Sequence, residues 1–440
     1  MNAGGHASET AALPHAARWH YDVFGFLNGQ FGLAIAARNT LAALTSSGRD
    51  VRALTVEHNP KRRTSSSRDD HGAVSGEHVR RISVFHVNPV ELARYARQWQ
   101  PTADPRAHPV CVPFWELPLV PRSWERVLRS VSLILAPTRF IEAACIAVAG
   151  RDRVLHYPQA VLLPAEVRPA RERWGLPNEA TIFAVAFDIL SDIERKNPWA
   201  ALDAFRHAFP FDRDVRLVIK TKPFLSDPQL RPYVAKLKAR VAGDARIRII
   251  DAELSYEDVL SLYASCDALI SLHRSEGLGL HLMEAMSLGL VVVATNWSGC
   301  TDYLTTKNSV PIGYDLVPIA PVHDAYAAEV HRPGQVWAEP RIGEAAEALR
   351  CLRGDRAYRI ARGQRASRDM AIRRKEMLRG GTFETLEAKL VAAPPVDSRF
   401  SAAVRSTAVA LHARHLQATV RSIPARVTSA LRDRLMHTIR

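Results

Sequence analysis

The sequence has few cysteines and no long hydrophobic run. None of its 440 residues belongs to a stretch near the ~18 consecutive apolar residues that a membrane-spanning helix needs. Its start, MNAGGHASET, has neither a basic head nor an apolar run, so we expect a protein that is neither secreted nor transmembrane. The five cysteines lie far apart without a C-x-x-C pair, which favours buried thiols in the cytosol over disulfides or a zinc site.

Two motifs are also missing. A G-x-G-x-x-G fingerprint follows the first predicted strand of neither half, which disfavours a nicotinamide-dependent oxidoreductase. No D-x-D metal-binding motif stands at a plausible strand end. Hydrophobic residues (47%) and charged residues (24%) are near the globular average, which excludes a wholly disordered, collagen-like or coiled-coil chain. A chain of this length exceeds one hydrophobic core, so we expect two large domains.

Positive charge is in excess, with a net charge of +14. An excess of this size indicates an anionic partner: nucleic acid, an anionic membrane surface or a phosphorylated ligand. Residues 397–440 contain eight Arg and two Asp, and their one aromatic residue is Phe400, so we predict no nucleic-acid binding. Residues 401–423 fit an amphipathic helix. Contact with an anionic inner-membrane surface and an ordinary solvated or disordered tail are both open.

Apolar strand-like runs alternate with helical patterns, in one series from residue 21 and a second from residue 181. This alternation is typical of parallel sheets covered by helices, so we predict two doubly wound domains with ligands in the cleft between them. The predicted regions are a flexible N-terminus (1–18), an N-terminal Rossmann-like domain (19–165) with a mobile surface loop (58–80), a C-terminal Rossmann-like domain (166–355), helices packing back toward the N-terminal domain (356–390) and a basic tail (391–440).

The most informative segment is 271–304, in which an apolar strand leads through a polar, glycine-containing loop into a helix. Gly277 and Gly279 permit a close backbone approach, and the free N–H groups of the helix start favour a phosphate. Glu276 and Glu284 stand eight residues apart, one in the loop and one in the helix. An extended ligand at this helix start could contact both carboxylates, although each Glu alone also fits a solvated surface position.

This segment resembles the E-x7-E signature of the retaining glycosyltransferases of family 4. Residues 26–44 are similar to the family's amino-terminal glycine loop and helix, and residues 187–205 to its basic phosphate-binding segment. Residues 114–140 resemble a bacterial polysaccharide, mannosyltransferase-like subgroup. The resemblance covers roughly residues 20–380 and implies an α/β protein with the GT-B fold, two Rossmann-like doubly wound domains facing across a cleft. The N-terminal domain would bind the acceptor, and the C-terminal domain the nucleotide sugar.

The resemblance also implies residue roles on the donor side. Glu284 would accept hydrogen bonds from the ribose hydroxyls of the nucleotide, and Glu276 would face the donor sugar. Tyr256 and Glu257 lie where the nucleobase usually stacks, but a surface helix start is the simpler explanation of them. Backbone N–H groups for the sugar and diphosphate would come from Gly277, Leu278, Gly279 and Leu280.

Arg195 and Lys196 match the family's cationic element, which offsets the charge of the departing diphosphate. The sequence differs from the family pattern nearby. Many members have a Gly-Arg pair where this chain has Phe187 and Asp188, and we expect Ser191 to fill part of that gap. A solvated first turn of a helix explains the Arg-Lys pair equally well.

On the N-terminal side, Gly29 and Gly32 resemble the loop that passes under the diphosphate or acceptor. His86 ends a strand where a family histidine often approaches the donor sugar, and a hydrogen-bonded core histidine is the alternative. Asn88 and Glu116 are acceptor-side candidates. Trp115, beside Glu116, fits a core position or an acceptor platform.

The function implied is metal-independent, retaining transfer of a hexose from a nucleoside diphosphate sugar to a saccharide or lipid-linked saccharide in polysaccharide biosynthesis. GDP-mannose is the first choice of donor, other nucleotide sugars stay open, and no cofactor is expected. The location would be cytoplasmic or peripheral on the inner membrane. The alternative is a non-catalytic GT-B subunit that binds saccharide or a partner protein. Retention of Glu276 and Glu284 argues against that alternative, and the missing Gly-Arg pair argues for it.

Overall fold

The computed structural model describes two α/β domains and a set of C-terminal helices. The described residues are 19–57, 80–100, 104, 106–223, 230–322, 324–391, 393 and 399–422. The predicted N-terminal segment 1–18, the predicted loop at 58–80 except its last residue, and the end of the tail from residue 423 lie outside them.

The N-terminal domain is built on a six-stranded parallel sheet of order β2-β1-β3-β4-β5-β6. Its strands are β1 (Trp19–Gly25), β2 (Asp50–Thr55), β3 (Arg80–His86), β4 (His108–Cys111), β5 (Leu133–Ala136) and β6 (Val154–His156). The helices between them are α1 (Gly32–Ser46), α2 (Pro89–Arg94), α3 (Ala96–Trp99), α4 (Arg122–Ser130) and α5 (Arg139–Ala149). A short 3-10 helix, Arg151–Arg153, precedes β6.

The C-terminal domain repeats this arrangement with a six-stranded parallel sheet of order β12-β11-β10-β7-β8-β9. Its strands are β7 (Thr181–Ala186), β8 (Val215–Lys220), β9 (Ile247–Ile250), β10 (Ala268–Ser271), β11 (Val291–Thr295) and β12 (Val310–Ile312). Its helices are α6 (Ile193–Lys196), α7 (Pro198–Ala208), α8 (Arg231–Val241), α9 (Tyr256–Ala264) and α10 (Leu280–Ser287), with 3-10 turns at Ile189–Ser191 and Ser298–Asp302.

The continuous apolar runs of the sequence become the central strands because helices cover both faces of each sheet. Every residue of β4, β5 and β11 is buried, so an alternating polar pattern would leave polar side chains without solvent. The prediction of two Rossmann-like, doubly wound domains is confirmed. Residues 157–180 connect the sheets, and the predicted boundary after residue 165 falls within this connector.

A hairpin that the sequence analysis did not predict follows β12. It consists of β13 (Tyr314–Pro318), a short helix α11 (Asp324–Ala327) and β14 (Val336–Pro340), and its two strands pair antiparallel. Buried Ile319, Tyr326 and Trp337 of the hairpin pack into the same hydrophobic cluster as Trp115 and Trp124 of the N-terminal domain. The hairpin therefore links the two domains along one side of the cleft.

The C-terminal helices are α12 (Ile342–Gly354), α13 (Arg356–Arg379), α14 (Gly381–Val391) and α15 (Arg399–Ser422). Helix α13 contacts α10 of the C-terminal domain and α1 of the N-terminal domain, and α14 contacts β6. Helix α15 contacts α2 and α4. Its buried residues Phe400, Ala403, Val404 and Thr407 recur at helical spacing and face the N-terminal domain.

The predicted amphipathic helix of the tail therefore forms, but the described part of its apolar side is already covered by protein. A membrane could not bind that same side without detaching the helix. None of the helices that the structure describes is both long and apolar enough to cross a membrane.

Candidate active site

A cavity of about 840 Å³ lies between the two domains, at the carboxyl ends of their strands. Its walls come from the start of α1, the start of α2 and the loop after β4 on one side. On the other side they come from the ends of β7 and β8, the loop before α10 and the start of α10. Cavities of roughly 300–1,000 Å³ are typical of small-molecule sites, and open α/β sheets bind ligands at this edge. The position of the cavity agrees with the predicted cleft.

The loop before α10 brings backbone N–H groups to the cavity wall. Gly279 caps the helix with a φ of +80°, and a Cβ there would lie 2.8 Å from the Tyr303 hydroxyl oxygen, so glycine is required on two counts. The Tyr303 hydroxyl donates a hydrogen bond of 2.6 Å to the Leu278 carbonyl and fixes the loop. Across the cavity, a Cβ on Gly32 would lie 3.7 Å from Leu280 Cδ1, so the N-termini of α1 and α10 face one another.

Glu276 is buried between two cations. Its Oε1 accepts a short hydrogen bond from Lys196 Nζ, and its Oε2 lies 3.6 Å from Arg195 Nη1. Burial opposes ionisation, but the charges of Lys196 and Arg195 outweigh it and hold the pKa of Glu276 well below its usual range. Glu276 is therefore a carboxylate at neutral pH, and the cations beside it are partly neutralised.

The two cations differ in their freedom. Arg195 is 2% exposed, and its guanidinium donates hydrogen bonds of 2.8 Å and 2.7 Å to the carbonyls of Ser275 and Ser191. Asp192, in a left-handed conformation at φ 69°, caps α6 by accepting from the Arg195 backbone N–H. The Lys196 side chain has a single hydrogen bond, to Glu276, among the residues that the structure describes. Lys196 is thus the cation more easily transferred to a ligand.

Glu284 lies on the cavity wall within α10 and is 4% exposed. Its Oε1 accepts a hydrogen bond of 3.1 Å from the Tyr256 hydroxyl. Burial raises the pKa of Glu284 to about 7, and the Tyr256 hydrogen bond offsets only part of this effect. A buried carboxyl with one such partner is suited to accepting hydrogen bonds from ligand hydroxyl groups.

A contact between the domains reaches Arg195 from the N-terminal side. Glu116 Oε2 accepts a hydrogen bond of 2.8 Å from the Tyr326 hydroxyl of the hairpin, and its Oε1 lies 3.8 Å from Arg195 Nη2. The Tyr326 ring packs 5.2 Å from the Trp115 ring, and the Arg195 guanidinium lies over it at 5.9 Å. Glu116, predicted on the acceptor side, thus also links the domains.

Most of the predicted site residues meet in this one cavity. Those that line it are Arg195, Lys196, Ser191, Glu276, Gly277, Leu278, Gly279, Leu280, Glu284, Gly32, Asn88 and Glu116, together with Trp115 and Tyr256. The Asn88 side chain also accepts a 2.8 Å hydrogen bond from the Phe114 backbone N–H. Gly29 and Glu257 are not among the residues that form the wall.

His86 does not reach the cavity, which corrects its predicted approach to the donor sugar. The side chain is fully buried, and its Nε2 lies 2.7 Å from the Thr40 hydroxyl oxygen. Phe114, whose ring centroid is 5.9 Å from that of His86, is the residue that lines the cavity there. Burial lowers the pKa of His86 to about 3, so it is a neutral core histidine, the alternative that its strand-end position had left open.

Lys220, Lys222, His281 and Tyr326 are among the cavity residues that sequence reasoning missed. Lys220 ends β8 and donates hydrogen bonds of 2.6 Å and 3.0 Å to the carbonyls of Thr221 and Ala252. Lys222 forms a 2.8 Å ion pair with Asp188. Two cations thus lie where the family's Gly-Arg pair is missing, and their position directly after an apolar strand was the signal that could have identified them. Tyr326 carried no such signal because its hairpin has no motif.

The sheets, their facing edges and this cavity define a protein with the GT-B fold. Residues 194–314, which contain the cations, both glutamates and the glycine loop, match the family model for glycosyl transferases group 1. The likeness to solved structures agrees with the fold. Sucrose-phosphate synthase from Thermosynechococcus elongatus superposes with a TM-score of 0.58 at 14% identity, over 86% of this chain and 100% of that chain.

A structure from E. coli, described as trehalose-6-phosphate bound with UDP-2-fluoro glucose, has a TM-score of 0.57 at 11% identity, over 86% of this chain and 100% of that chain. TarM from S. aureus reaches a TM-score of 0.49 at 12% identity over 70% of this chain, and this chain covers 55% of the TarM chain. The chain thus spans about half the length of TarM. The predicted GT-B fold is confirmed, and the match to the group 1 glycosyl transferase model falls within its second domain.

Proposed function

We propose that this protein is a glycosyltransferase that moves a hexose from a nucleoside diphosphate sugar to a saccharide acceptor. One observation carries the proposal: Glu276 lies between Lys196 and Arg195, while Glu284 lines the same cavity eight residues further on. This arrangement offers hydrogen-bond acceptors for hydroxyl groups at two points, with cations and helix N–H groups for a diphosphate between them.

In the proposed complex the Glu284 carboxylate accepts hydrogen bonds from the ribose diol. The N–H groups at the start of α10 bind the diphosphate, and Glu276 faces the donor sugar. The Lys196 side chain exchanges part of its contact with Glu276 for the phosphate, since that side chain has no other hydrogen bond among the described residues. Arg195 supplies charge from a fixed position because two backbone carbonyls hold its guanidinium.

The chemical step is substitution on one face of the sugar. The bond between the anomeric carbon and the diphosphate oxygen breaks, and the acceptor oxygen bonds to that carbon from the same side. The acceptor's proton passes to the departing phosphate oxygen. We propose retained configuration without a metal, because Lys196, Arg195 and the α10 N-terminus supply positive charge where phosphate charge grows. NMR of the product's anomeric proton, with and without a chelator, tests both points.

The identity of the donor and acceptor is a finer part of the proposal. GDP-mannose is the donor that the subgroup resemblance implies, and UDP-glucose is the matched alternative, since its 2-fluoro analogue is bound in the E. coli neighbour. The acceptor is a saccharide or lipid-linked saccharide of polysaccharide biosynthesis, used in the cytoplasm or at the inner-membrane surface. Contact of the basic tail with that membrane stays a proposal for the part of the tail beyond α15.

Thermal-shift titration with nucleoside diphosphates and their sugars tests donor binding, because a ligand of the folded state stabilises it by an amount set by its concentration over Kd. Glu284→Ala should raise the donor KM strongly, about 10- to 100-fold for lost hydrogen bonds to a carboxylate. Glu257→Ala is the matched control, since Glu257 lies on α9 outside the cavity wall. Wild-type donor kinetics for Glu284→Ala would contradict the assignment.

The second candidate function, a non-catalytic subunit that binds saccharide or a partner protein, is separated by the same titration. A cavity that binds no nucleotide but is stabilised by oligosaccharides would favour the subunit. Binding of a nucleotide sugar with measurable transfer or hydrolysis would exclude it. Lys220 and Lys222 line the cavity near the position of the missing Gly-Arg pair, which supports the transferase over the non-catalytic subunit.

A further inference from the structure

Helix α13 carries an unusual concentration of positive charge on its solvent-exposed side. Over its 24 residues, five exposed cations have neither an ion pair nor a hydrogen bond to any residue that the structure describes: Arg356, Arg368, Arg374, Lys375 and Arg379. Glu376 is the one exposed acid of the helix, and Asp369 is half-buried and hydrogen-bonded to Arg365 and Asn308. Unpaired charges at this density repel one another, so an anionic partner would stabilise this surface.

Apolar side chains are exposed on the same side of the helix. Ile360 is 44% exposed and Ile372 is 57% exposed, whereas the opposite side of α13 is buried against α1 and α10 through Ala366, Met370 and Met377. With 3.6 residues per turn, Ile360 and Ile372 fall among the exposed cations rather than at the edge of the buried side. The outward side of α13 is therefore basic and amphipathic over ~35 Å, at about 1.5 Å per residue.

Three of these cations also line a surface groove. The groove has a volume of about 540 Å³ and lies between the end of α1 and the end of α13, with Arg374, Lys375 and Arg379 on one side and Ser46 and Ser47 on the other. The three cations provide hydrogen-bond donors of the kind that a phosphate accepts, whereas the Ser47 hydroxyl already donates to the Ala43 and Leu44 carbonyls. The groove is separate from the active-site cavity, and the two share no residue.

We propose that this α13 surface docks the protein on an anionic membrane, with lipid phosphates in the groove and the isoleucines at the headgroup boundary. A basic helix side with exposed aliphatic residues matches such a surface in charge and polarity. The outward side of α13 has no aromatic residues to stack with bases, since Tyr358 is half-buried beneath Arg362, which disfavours nucleic acid. The docking surface is thus assigned to α13 rather than to α15, whose described apolar side already packs on protein.

Vesicle flotation of the full-length protein tests this assignment, with phosphatidylcholine vesicles that contain about 30% phosphatidylglycerol to provide an anionic surface. The test variant is Arg374→Gln/Lys375→Gln/Arg379→Gln. Each basic residue near an anionic surface contributes about 1 kcal/mol, or roughly fivefold in affinity, so the triple variant should bind about 100-fold more weakly. Ile372→Ser should weaken binding without changing net charge.

The matched control is Arg97→Gln/Arg151→Gln/Arg231→Gln. These three arginines are exposed on other elements, and their substitution removes the same net charge as the α13 triple. The control triple should bind like wild type, and neutral phosphatidylcholine vesicles should bind none of the proteins. Circular dichroism confirms that each variant is folded.

Three results would overturn the proposal. One is equal loss of binding in both triples, which would make the effect one of total charge. Another is full binding by the α13 triple together with loss of binding on truncation after residue 423, which would make the tail the anchor. The third is release of the protein from vesicles by millimolar inorganic phosphate, or by single-stranded RNA that binds the protein as tightly as the vesicles do. Either release would make the site one for free phosphate or nucleic acid.

Discussion

Replacing Glu284 with Gln should make the ligand-free protein more stable at high pH and a weaker binder of its donor. Burial raises the pKa of Glu284 from an ordinary value of 4.5 to about 7. The folded state therefore holds a proton that the unfolded state has released between these pH values. The contribution of Glu284 to the free energy of unfolding is fully present below pH 4.5 and is lost as the pH rises through 7.

The size of the effect follows from that difference. A gap of about 2.5 in pKa corresponds to about 3 kcal/mol of unfolding free energy, lost in full above pH 7. Gln cannot ionise, has a similar shape and can still accept the Tyr256 hydrogen bond. The unfolding free energy of Glu284→Gln should therefore not decline as the pH rises from 4.5 to 7. Its affinity for the donor should be lower than that of the wild type, because the ribose diol donates to a carboxylate more strongly than to an amide.

Urea unfolding at several pH values between 4.5 and 8.5 measures the first effect, and nucleotide titration over the same range measures the second. The wild type should lose donor affinity by about tenfold per pH unit below 7, since the carboxyl must release its proton to bind. Glu284→Gln should bind more weakly with no such dependence. Glu257→Gln provides the control for a surface glutamate. Parallel stability curves for wild type and Glu284→Gln would refute the reasoning, because the burial of the charge would then have no energetic consequence.

Three further predictions concern Lys196, Tyr326 and Gly299. Lys196→Ala should lower kcat more than donor binding, because phosphate charge grows toward the transition state, and steady-state kinetics showing a change confined to KM would contradict that role. Tyr326→Phe removes the hydroxyl that donates to Glu116 but keeps the ring. In kinetic and thermal assays, kcat should fall severalfold while the melting temperature stays nearly unchanged. A fall in melting temperature that matches the fall in kcat would indicate a purely structural role. Gly299→Ala places a Cβ 1.9 Å from the Gly277 carbonyl oxygen and should lower the free energy of unfolding in urea by about 2–4 kcal/mol. Gly343→Ala, where nothing lies within 4 Å in a helix, should stabilise by about 0.5–1 kcal/mol instead.

Much of the proposed donor site could be predicted because its residues are close together in the chain. A strand end, a glycine turn and a helix start are local features, and Gly279 with its positive φ is a position that few other residues can occupy. Glu284 then lies about one helical turn beyond the start of α10. The Arg195–Lys196 pair was recognisable for the same reason, as a cationic turn directly before a helix.

Contacts between distant segments were not predictable in this way. His86 looked like a cleft residue from its strand-end position, but Thr40 and Phe114 of other elements enclose it. The hairpin around Tyr326 has no sequence motif, and its importance comes from Trp115 and Glu116, some 200 residues earlier in the chain. The basic tail looked available to a membrane until the packing of Phe400 against the N-terminal domain was known.

Local patterns predicted two parallel-sheet domains, the cleft between them and the acidic and cationic residues on its C-terminal wall, because hydrophobic periodicity and loop chemistry act over a few residues. Which charges face one another depended on how distant segments pack. The pKa of Glu284 near 7, the cations beside Glu276 and the unpaired surface of α13 depend on burial and on groups brought together through space, which no local pattern records.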